Sequence, residues 1–171
     1  LSIEKTIALN ETPIAIMKAQ EEGSVLFMTK QGMVKKSEIK ELIVSKPFYQ
    51  VCKLGDGDEV ISVEMDKKGK SILMLTRKGM SLNFDTSEVP SQGRISGGVK
   101  GMNIDEGDNV IFASQIDFSH IIVVAENGYI KKITNEIAEP KINGIDKNSK
   151  IVTAYIGCLT IPYNPVSITF W

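Results

Sequence analysis

Short, largely apolar runs separated by turn-forming residues recur along the chain. Residues 25–29, 72–76 and 121–125 form such runs, and each is too short for a helix. Each run is followed by an x-Gly pair, at Gly32, Gly79 and Gly128, and such pairs are typical of tight β-hairpin turns. The pattern therefore predicts three hairpins whose first strands are buried on both faces.

The same pattern predicts the core and the strands that return from each turn. In "MSLNF" apolar and polar residues alternate, so Met80, Leu82 and Phe84 are expected to point inward. A single helical turn is compatible with residues 37–42. The residues expected in the cores are Leu26, Met28, Leu73, Leu75, Ile122 and Val124.

Two elements repeat in a constant order. "SVLFMTKQGMVKK" at Ser24 returns as "SILMLTRKGMSLN" at Ser71 and as "HIIVVAENGYIKK" at His120. Each copy is followed by a polar turn and a strand, in "GDGDEVISV", "DEGDNVIFA" and "DKNSKIVTA", and a further copy of this second element, "LNETPIAIM", precedes the first hairpin. About four strands per repeat, with almost no helical periodicity, predict an all-β, propeller-like array of four-stranded blades.

The repeats divide the chain into about three and a half blades of a single partial domain, residues 1–171. We place the repeats at residues 24–70, 71–118 and 119–156. Residues 1–23 are expected to end a preceding blade, and residues 157–171 to form a degenerate or closing segment. Because the chain starts at Leu1, we expect it to be part of a longer protein.

Composition leaves several partner classes open. The net charge is −1, and 42% of the residues are hydrophobic, which is ordinary for a globular protein. No apolar run approaches the ~20 residues that span a membrane. Between Lys30 and Lys53, six lysines face two acidic residues, while other acids cluster in the turns, so one rim can be basic. Cys52 and Cys158 lack the spacing of a metal site and are expected to be reduced and partly buried.

The stretch "GRISGGVKG" at Gly93 raises the question of a phosphate-binding loop. A P-loop needs Ser or Thr after its lysine and then a helix, but Gly101 follows Lys100 and a strand-like segment comes next. A dinucleotide-binding G-x-G-x-x-G pattern is also missing. We therefore expect the glycines to serve backbone turns.

Catalytic and metal-binding patterns are weak. His120 is the single histidine and opens an apolar strand, so a packing role is favoured. "GDGDEV" lacks the twelve-residue spacing and closing Glu of a calcium loop, and its repetition favours a structural turn. We predict that this chain is not an enzyme by itself and has no catalytic or metal site.

Three segments carry a family resemblance: "TKQGMVKK", "SKPFYQVCKLGDGDEVISV" and "TRKGMSLNFDTSEVPSQGRISGGVKGMNIDEGDNVI". They resemble blades of the C-terminal domain of bacterial type IIA topoisomerase A subunits, from DNA gyrase or topoisomerase IV. The resemblance runs from about Ile14 to Ala154 and implies a β-pinwheel with a basic outer rim that bends DNA. The gyrase Gly- and Arg-rich box is missing, so either the chain starts after it or the parent is topoisomerase IV, and "SKPFYQ" slightly favours the latter.

The resemblance implies sequence-nonspecific binding and wrapping of double-stranded DNA, which presents a segment for strand passage. It implies further partners, namely the B subunit of a heterotetramer together with the rest of the A subunit. It also implies a cytoplasmic, nucleoid-associated location without membrane contact. No cofactor is expected in this chain, because ATP and Mg²⁺ would bind the parent enzyme elsewhere. The alternative is a propeller-like protein-interaction scaffold that does not bind DNA.

The candidate DNA contacts are cations at or near the repeated turns. Strand alternation predicts that the third residue after each hairpin glycine, such as Lys35, faces the core side and the fourth, such as Lys36, faces out. Asn83 replaces the cation at the fourth position of the middle repeat. The full set of candidates is Lys30, Lys35, Lys36, Arg77, Lys78, Arg94, Lys100, Lys131 and Lys132.

Overall fold

The computed structural model describes residues 13–18, 20–46, 49–116, 121–133 and 151–156. Within these residues the chain is almost entirely β, as the apolar pattern predicts. One helical turn, α1 at Ile39–Leu42, falls inside the segment expected to allow it, and a short 3₁₀ turn covers Thr86–Glu88. The strands are β1 Ser24–Thr29, β2 Met33–Glu38, β3 Val60–Met65, β4 Ser71–Thr76, β5 Ser81–Asp85, β6 Val99–Lys100, β7 Val110–Ile116, β8 Ile121–Ala125, β9 Ile130–Ile133 and β10 Ile151–Ile156.

The strands form three antiparallel sheets with the same internal plan. Sheet 1 has the order β3-β1-β2-β6, sheet 2 the order β7-β4-β5, and sheet 3 the order β10-β8-β9. In each sheet the first strand of a hairpin lies between its hairpin partner and the strand that follows the polar turn. The sequence repeat is therefore a structural repeat.

The predicted hairpins are confirmed at all three glycines. Gly32, Gly79 and Gly128 have φ values of 82°, 88° and 83°. Each donates its backbone N–H to the carbonyl three residues earlier, at 3.1, 3.0 and 2.9 Å respectively. Glycine adopts this left-handed conformation at little steric cost, which explains the repeated x-Gly pair.

The sheets stack face to face. The prediction that the first strand of each hairpin is buried on both faces is confirmed for β1 and β4 but is wrong for β8, whose residues alternate between buried and half-buried. In β4, Ile72 and Met74 pack into the core between sheets 1 and 2, while Leu73 and Leu75 pack between sheets 2 and 3. This confirms why the apolar run has no alternation. The buried members of the first core are Leu26, Met28, Val34, Ile72, Met74, Val89, Met102, Val110 and Ala113.

Two predictions about the core are wrong. In β8 it is Ile121 and Val123 that are buried, whereas Ile122 and Val124 are half-buried, because the described residues place no further sheet against their face. Leu82 is 38% exposed although it pairs with the fully buried Met74. Its strand, β5, is at the edge of sheet 2, so the side chain is covered from one direction only.

The glycine-rich stretch connects the second repeat to the first sheet. After β5 the chain crosses over, and β6 pairs antiparallel with β2 through Met33 with Lys100 and Val34 with Val99. Gly101 and Met102 then donate their backbone N–H groups to the carbonyl of Gly32, at 2.9 and 3.1 Å. A strand of repeat 71–118 thus completes the sheet of repeat 24–70.

Candidate nucleic-acid interface

The edge of sheet 1 that is formed by β6, which we call the outer edge, carries accessible cations. Residues 89–104 include Arg94 and Lys100 but no Asp or Glu. Lys100 is exposed on β6, and Lys53 is exposed beside the loop, where its backbone N–H donates to the carbonyl of Ser96 at 3.0 Å. We call Lys53, Arg94 and Lys100 the outer-edge patch.

The backbone of this edge approaches sheet 1 closely. Gln92 donates its N–H to the carbonyl of Lys36 at 2.8 Å, and the Ser37 hydroxyl donates to the carbonyl of Gln92 at 2.8 Å. Gly98 has a φ of 82°, and a Cβ there would lie 2.5 Å from the carbonyl oxygen of Val34. A Cβ at Gly101 would lie 2.6 Å from Val34 Cγ2. The glycines therefore serve the backbone, Gly98 by its turn conformation and Gly101 by allowing close contact.

Arg94 lies on a β-turn formed by residues 93–96, in which Ser96 donates its N–H to the carbonyl of Gly93 at 3.2 Å. The Arg94 side chain is half-buried, and its guanidinium carbon lies 5.6 Å from the centre of the Tyr49 ring. The Tyr49 hydroxyl donates in turn to the carbonyl of Leu42. A guanidinium above an aromatic ring gains cation–π attraction while its edge still offers hydrogen-bond donors.

Lys35 lies in the interior of the molecule. It is 1% exposed, and its amine donates to the carbonyls of Val51 and Arg94 and lies 5.4 Å from the centre of the Phe27 ring. Burial lowers the pKa of the Lys35 amine, and the nearby Cys52 opposes this shift. The third position after the glycine faces inward here, as predicted. The Lys35 amine is therefore buried and bonded to backbone carbonyls, so it cannot contact DNA directly.

Lys36 faces the neighbouring blade. Its amine donates to the carbonyl of Thr86 at 2.8 Å and lies 3.9 Å from Asp66 Oδ2, and its side chain is 14% exposed. The expectation that the fourth position faces solvent is wrong for Lys36. One face of β2 packs toward sheet 2 and the other lies under the loops that carry Val51 and Arg94, so neither of two adjacent residues faces solvent.

Lys30 and Lys78 are engaged by the acidic turns. Lys30 forms an ion pair of 2.5 Å with Glu59, and the Lys78 amine donates to the carbonyl of Glu106 at 2.8 Å. The acidic turns are thus structural: Asp58 Oδ1 accepts from the N–H of Gln31 at 2.8 Å, and Asp108 Oδ1 accepts from the N–H of Lys78 at 3.0 Å.

The other three predicted cations are accessible but scattered over two hairpins. Arg77 is exposed in the turn between β4 and β5, Lys132 is exposed on β9 and Lys131 is half-buried beside it. Arg94 and Lys100 thus lie in the same crossing segment beside sheet 1, whereas Arg77, Lys131 and Lys132 lie on the other two hairpins. Lys53 was missed as a candidate, although it is the last lysine of the basic segment that begins at Lys30.

Cys52 lies beside the amine of Lys35 and is buried, with a free thiol. Burial raises the pKa of this thiol, and the Lys35 ammonium partly opposes the shift. Cys158 and His120 lie outside the described residues. Within the described part of the chain, no cluster of three or more His, Cys, Asp or Glu residues could hold a metal ion, and no helix is long and apolar enough to cross a membrane.

Comparison with known proteins identifies the family. Residues 23–65 and 70–117, more than half of the chain, match the family described as the DNA gyrase C-terminal domain, beta-propeller. The chain belongs to this family. The β-pinwheel resemblance and the all-β fold are thereby confirmed, and the two matched segments overlap residues 24–70 and 71–118.

Curated relatives of this gyrase-type C-terminal domain are topoisomerase IV A subunits. The chain is 35% identical over 125 residues to the A subunit of DNA topoisomerase 4 from Staphylococcus epidermidis, and 33% identical over 118 residues to that from Staphylococcus aureus. These alignments cover 70% and 67% of this chain but 16% and 15% of the relatives. The chain therefore spans about one sixth of the length of these A subunits.

Solved structures give the same assignment. The crystal structure of the C-terminal domain of DNA topoisomerase IV superposes with a TM-score of 0.74 at 28% identity, covering 83% of this chain and 48% of that one. The DNA gyrase A C-terminal domain superposes with a TM-score of 0.66 at 24% identity, covering 81% of this chain and 50% of that one. The second likeness is one of fold.

Proposed function

We propose that this domain binds double-stranded DNA without sequence preference and bends it along the outer edge of sheet 1. The observation that carries the proposal is the outer-edge patch, which lies on and beside a segment free of acidic residues. The amines of Lys53 and Lys100 have no hydrogen-bond or ion-pair partner among the described residues, so they are free for phosphates.

The distribution of charge supports this orientation of the DNA. The acidic turn that contains Asp56, Asp58 and Glu59 leads into β3, and β3 and β6 occupy opposite edges of sheet 1. Phosphates would be repelled from the β3 edge and attracted to the β6 edge. Contacts to phosphates carry no base code and release counterions irrespective of sequence, which suits a wrapping surface.

The parent protein is proposed to be the A subunit of a type II topoisomerase that acts with a B subunit, ATP and Mg²⁺ on DNA topology. The names of the relatives favour topoisomerase IV. Topology assays on the full-length enzyme test this part: decatenation without negative supercoiling is expected, and ATP-driven negative supercoiling would assign the parent to gyrase.

The DNA-binding proposal is tested by matched charge reversals on the isolated domain. The variant Lys53→Glu with Lys100→Glu changes the outer-edge patch, whereas Lys67→Glu with Lys68→Glu changes the exposed turn between β3 and β4 by the same total charge. Affinity for a linear duplex is measured by fluorescence anisotropy between about 50 and 200 mM salt, a range over which phosphate-dominated binding falls steeply. Two lost contacts should reduce the slope of log affinity against log salt by about 2.

We expect the outer-edge variant to bind more weakly and with a flatter salt dependence than the turn variant. Equal losses in the two variants would assign binding to overall charge and reject the outer-edge surface. If the unmodified domain does not bind duplex DNA even at low salt, the proposed function is wrong and the protein-interaction alternative is favoured.

A further inference from the structure

The Arg94 turn (residues 93–96) is held at both its backbone and its side chain. The carbonyl of Arg94 accepts a hydrogen bond from the buried amine of Lys35, and the guanidinium lies against the Tyr49 ring. Tyr49 is itself held by its hydroxyl on the carbonyl of Leu42. These contacts fix the position of Arg94 in the protein without DNA, although the residue lies on a loop.

The amine of Lys35 joins two loops that are far apart in sequence. It donates to the carbonyl of Val51 as well as to that of Arg94. Lys53, two residues after Val51, donates its own N–H to the carbonyl of Ser96 in the Arg94 turn. One buried amine thus ties together the loops that bear two of the three cations of the outer-edge patch.

A lysine at this position has an energetic cost that an apolar residue would avoid. Burying an ammonium requires hydrogen-bond acceptors to replace water, and apolar substitutes of similar volume are often neutral or stabilising. The backbone of β2 is already paired with both β1 and β6, so the strand does not depend on this side chain for its hydrogen bonds. Both acceptors of the Lys35 amine are backbone carbonyls in loops, so the hydrogen bonds of this amine stabilise the conformation of the loops and not the pairing of β2.

We propose that Lys35 is a positioning residue for DNA binding: together with Tyr49 it fixes the Arg94 turn so that the guanidinium is presented beside Lys53 and Lys100. This inference rests on the proposed function and adds a residue that contacts no DNA itself. Holding the turn in place before DNA arrives removes the loss of conformational freedom that a mobile loop incurs on binding. Lys35 should therefore raise affinity through Arg94 and not through its own charge.

A double-mutant cycle separates this role from a general effect on the fold. Affinity for a linear duplex is measured for the unmodified domain, Lys35→Met, Arg94→Ala and the double variant, all confirmed as folded by circular dichroism. Lys36→Met in the same cycle is the matched control, because Lys36 is adjacent on β2 and the substitution removes the same charge. Its amine contacts Thr86 and Asp66 and not the Arg94 turn.

We expect Lys35→Met to weaken binding about three- to tenfold when Arg94 is present and less than about twofold when Arg94 is already alanine, since coupled residues are non-additive. Lys36→Met should change affinity by the same factor in both backgrounds. Equal effects of Lys35→Met in the two backgrounds would overturn the inference while leaving the proposed DNA binding intact. If the unmodified domain does not bind DNA, the proposed function itself is wrong.

The Tyr49→Leu variant provides a second test of whether the Arg94 turn is held in position for DNA binding. Tyr49 is 37% exposed and belongs to none of the three hydrophobic cores of the described residues, so its replacement leaves the packing between sheets in place. Its effect on DNA affinity should also disappear when Arg94 is alanine. If Lys35→Met does not fold, this cycle decides, and additivity of Tyr49→Leu with Arg94→Ala rejects the positioning of Arg94.

Discussion

Adjacent residues of one strand perform different tasks in this domain. The Lys35 amine donates to backbone carbonyls in two loops beside the outer edge, whereas the Lys36 amine donates to the carbonyl of Thr86 in the next repeat. Lysines that look equivalent in the sequence thus have three different roles. Lys35 is buried and connects two loops, Lys36 contacts the next blade, and Lys100 is an accessible cation. The neighbours of each side chain, and not its spacing from the hairpin glycine, determine whether its amine can meet a phosphate.

At the same scale, we predict opposite tolerance for two glycines of the crossing segment. Gly98→Ala should lower the free energy of unfolding by about 2 kcal/mol or more, because alanine is strained at positive φ and its Cβ would collide with the Val34 carbonyl. Gly93→Ala should change it by no more than about 1 kcal/mol, since no atom lies within 4 Å of a Cβ there. Urea unfolding of both variants checks this, and equal losses would contradict the close approach of β6 to β2.

At the scale of elements, the first two hairpins each form one unit with the acidic turn beside them. Asp58 joins its own turn to the hairpin at Gly32, and Asp108 does the same for the hairpin at Gly79. The next strand also begins at a hairpin, because Val110 donates its N–H to the carbonyl of Lys30 and Ile151 to that of Arg77, both at 2.9 Å. The acidic residues recur in these two repeats because both make the same connection to the hairpin backbone.

The acidic turns should therefore affect stability and not DNA binding. Asp58→Ala removes an acceptor for the N–H groups of Gln31 and Glu59 and should cost about 1 kcal/mol of unfolding free energy. Asp56→Ala is the control, because the exposed Asp56 contributes its backbone carbonyl and not its carboxylate to the turn. Thermal or urea unfolding distinguishes the two variants. A loss of DNA affinity in either variant would indicate that DNA contacts the β3 edge of sheet 1 and would contradict binding at the β6 edge.

At the scale of the whole molecule, the sheets are held together by apolar layers and by polar contacts at their edges. Gln115 on β7 donates its side-chain N–H to Glu64 Oε2 on β3 at 3.0 Å and accepts from the N–H of Lys67 at 2.7 Å. Sheets 1 and 2 are also joined covalently by the crossing segment that ends in β6. Unfolding of one sheet therefore exposes the core that it shares with the next.

We predict that the shared core dominates the stability of this pair of sheets. Met74→Ala should lower the free energy of unfolding by about 2–5 kcal/mol, because Met74 is fully buried in the core between sheets 1 and 2. Leu82→Ala, at the position paired with Met74 but 38% exposed, should cost less than half as much. Urea unfolding measures both, and similar costs would show that the edge strand β5 is packed more tightly than the exposure of Leu82 indicates.

The repeat, the three hairpins and the burial of β1 and β4 on both faces could be predicted from the sequence alone. These features depend on local chemistry: a glycine at positive φ closes a tight turn, and a short apolar run without alternation favours a strand that is covered on both faces. The family resemblance could be read from the same residues. Arg94 and Lys100 could also be named as candidates, because the glycine-rich segment that carries them resembles a loop of the family's blades; their contact with DNA stays a prediction.

Which residues those faces meet depends on the tertiary structure. It placed β6 of the second repeat in the first sheet, buried Lys35 under the Arg94 turn and brought Lys53 beside that turn. It also buried Ile121 and Val123 in preference to Ile122 and Val124. Each outcome depends on pairing between segments that are far apart in the chain. The period of a strand fixes which residues share a face, and the packing of neighbouring sheets determines which of those faces is covered and by what.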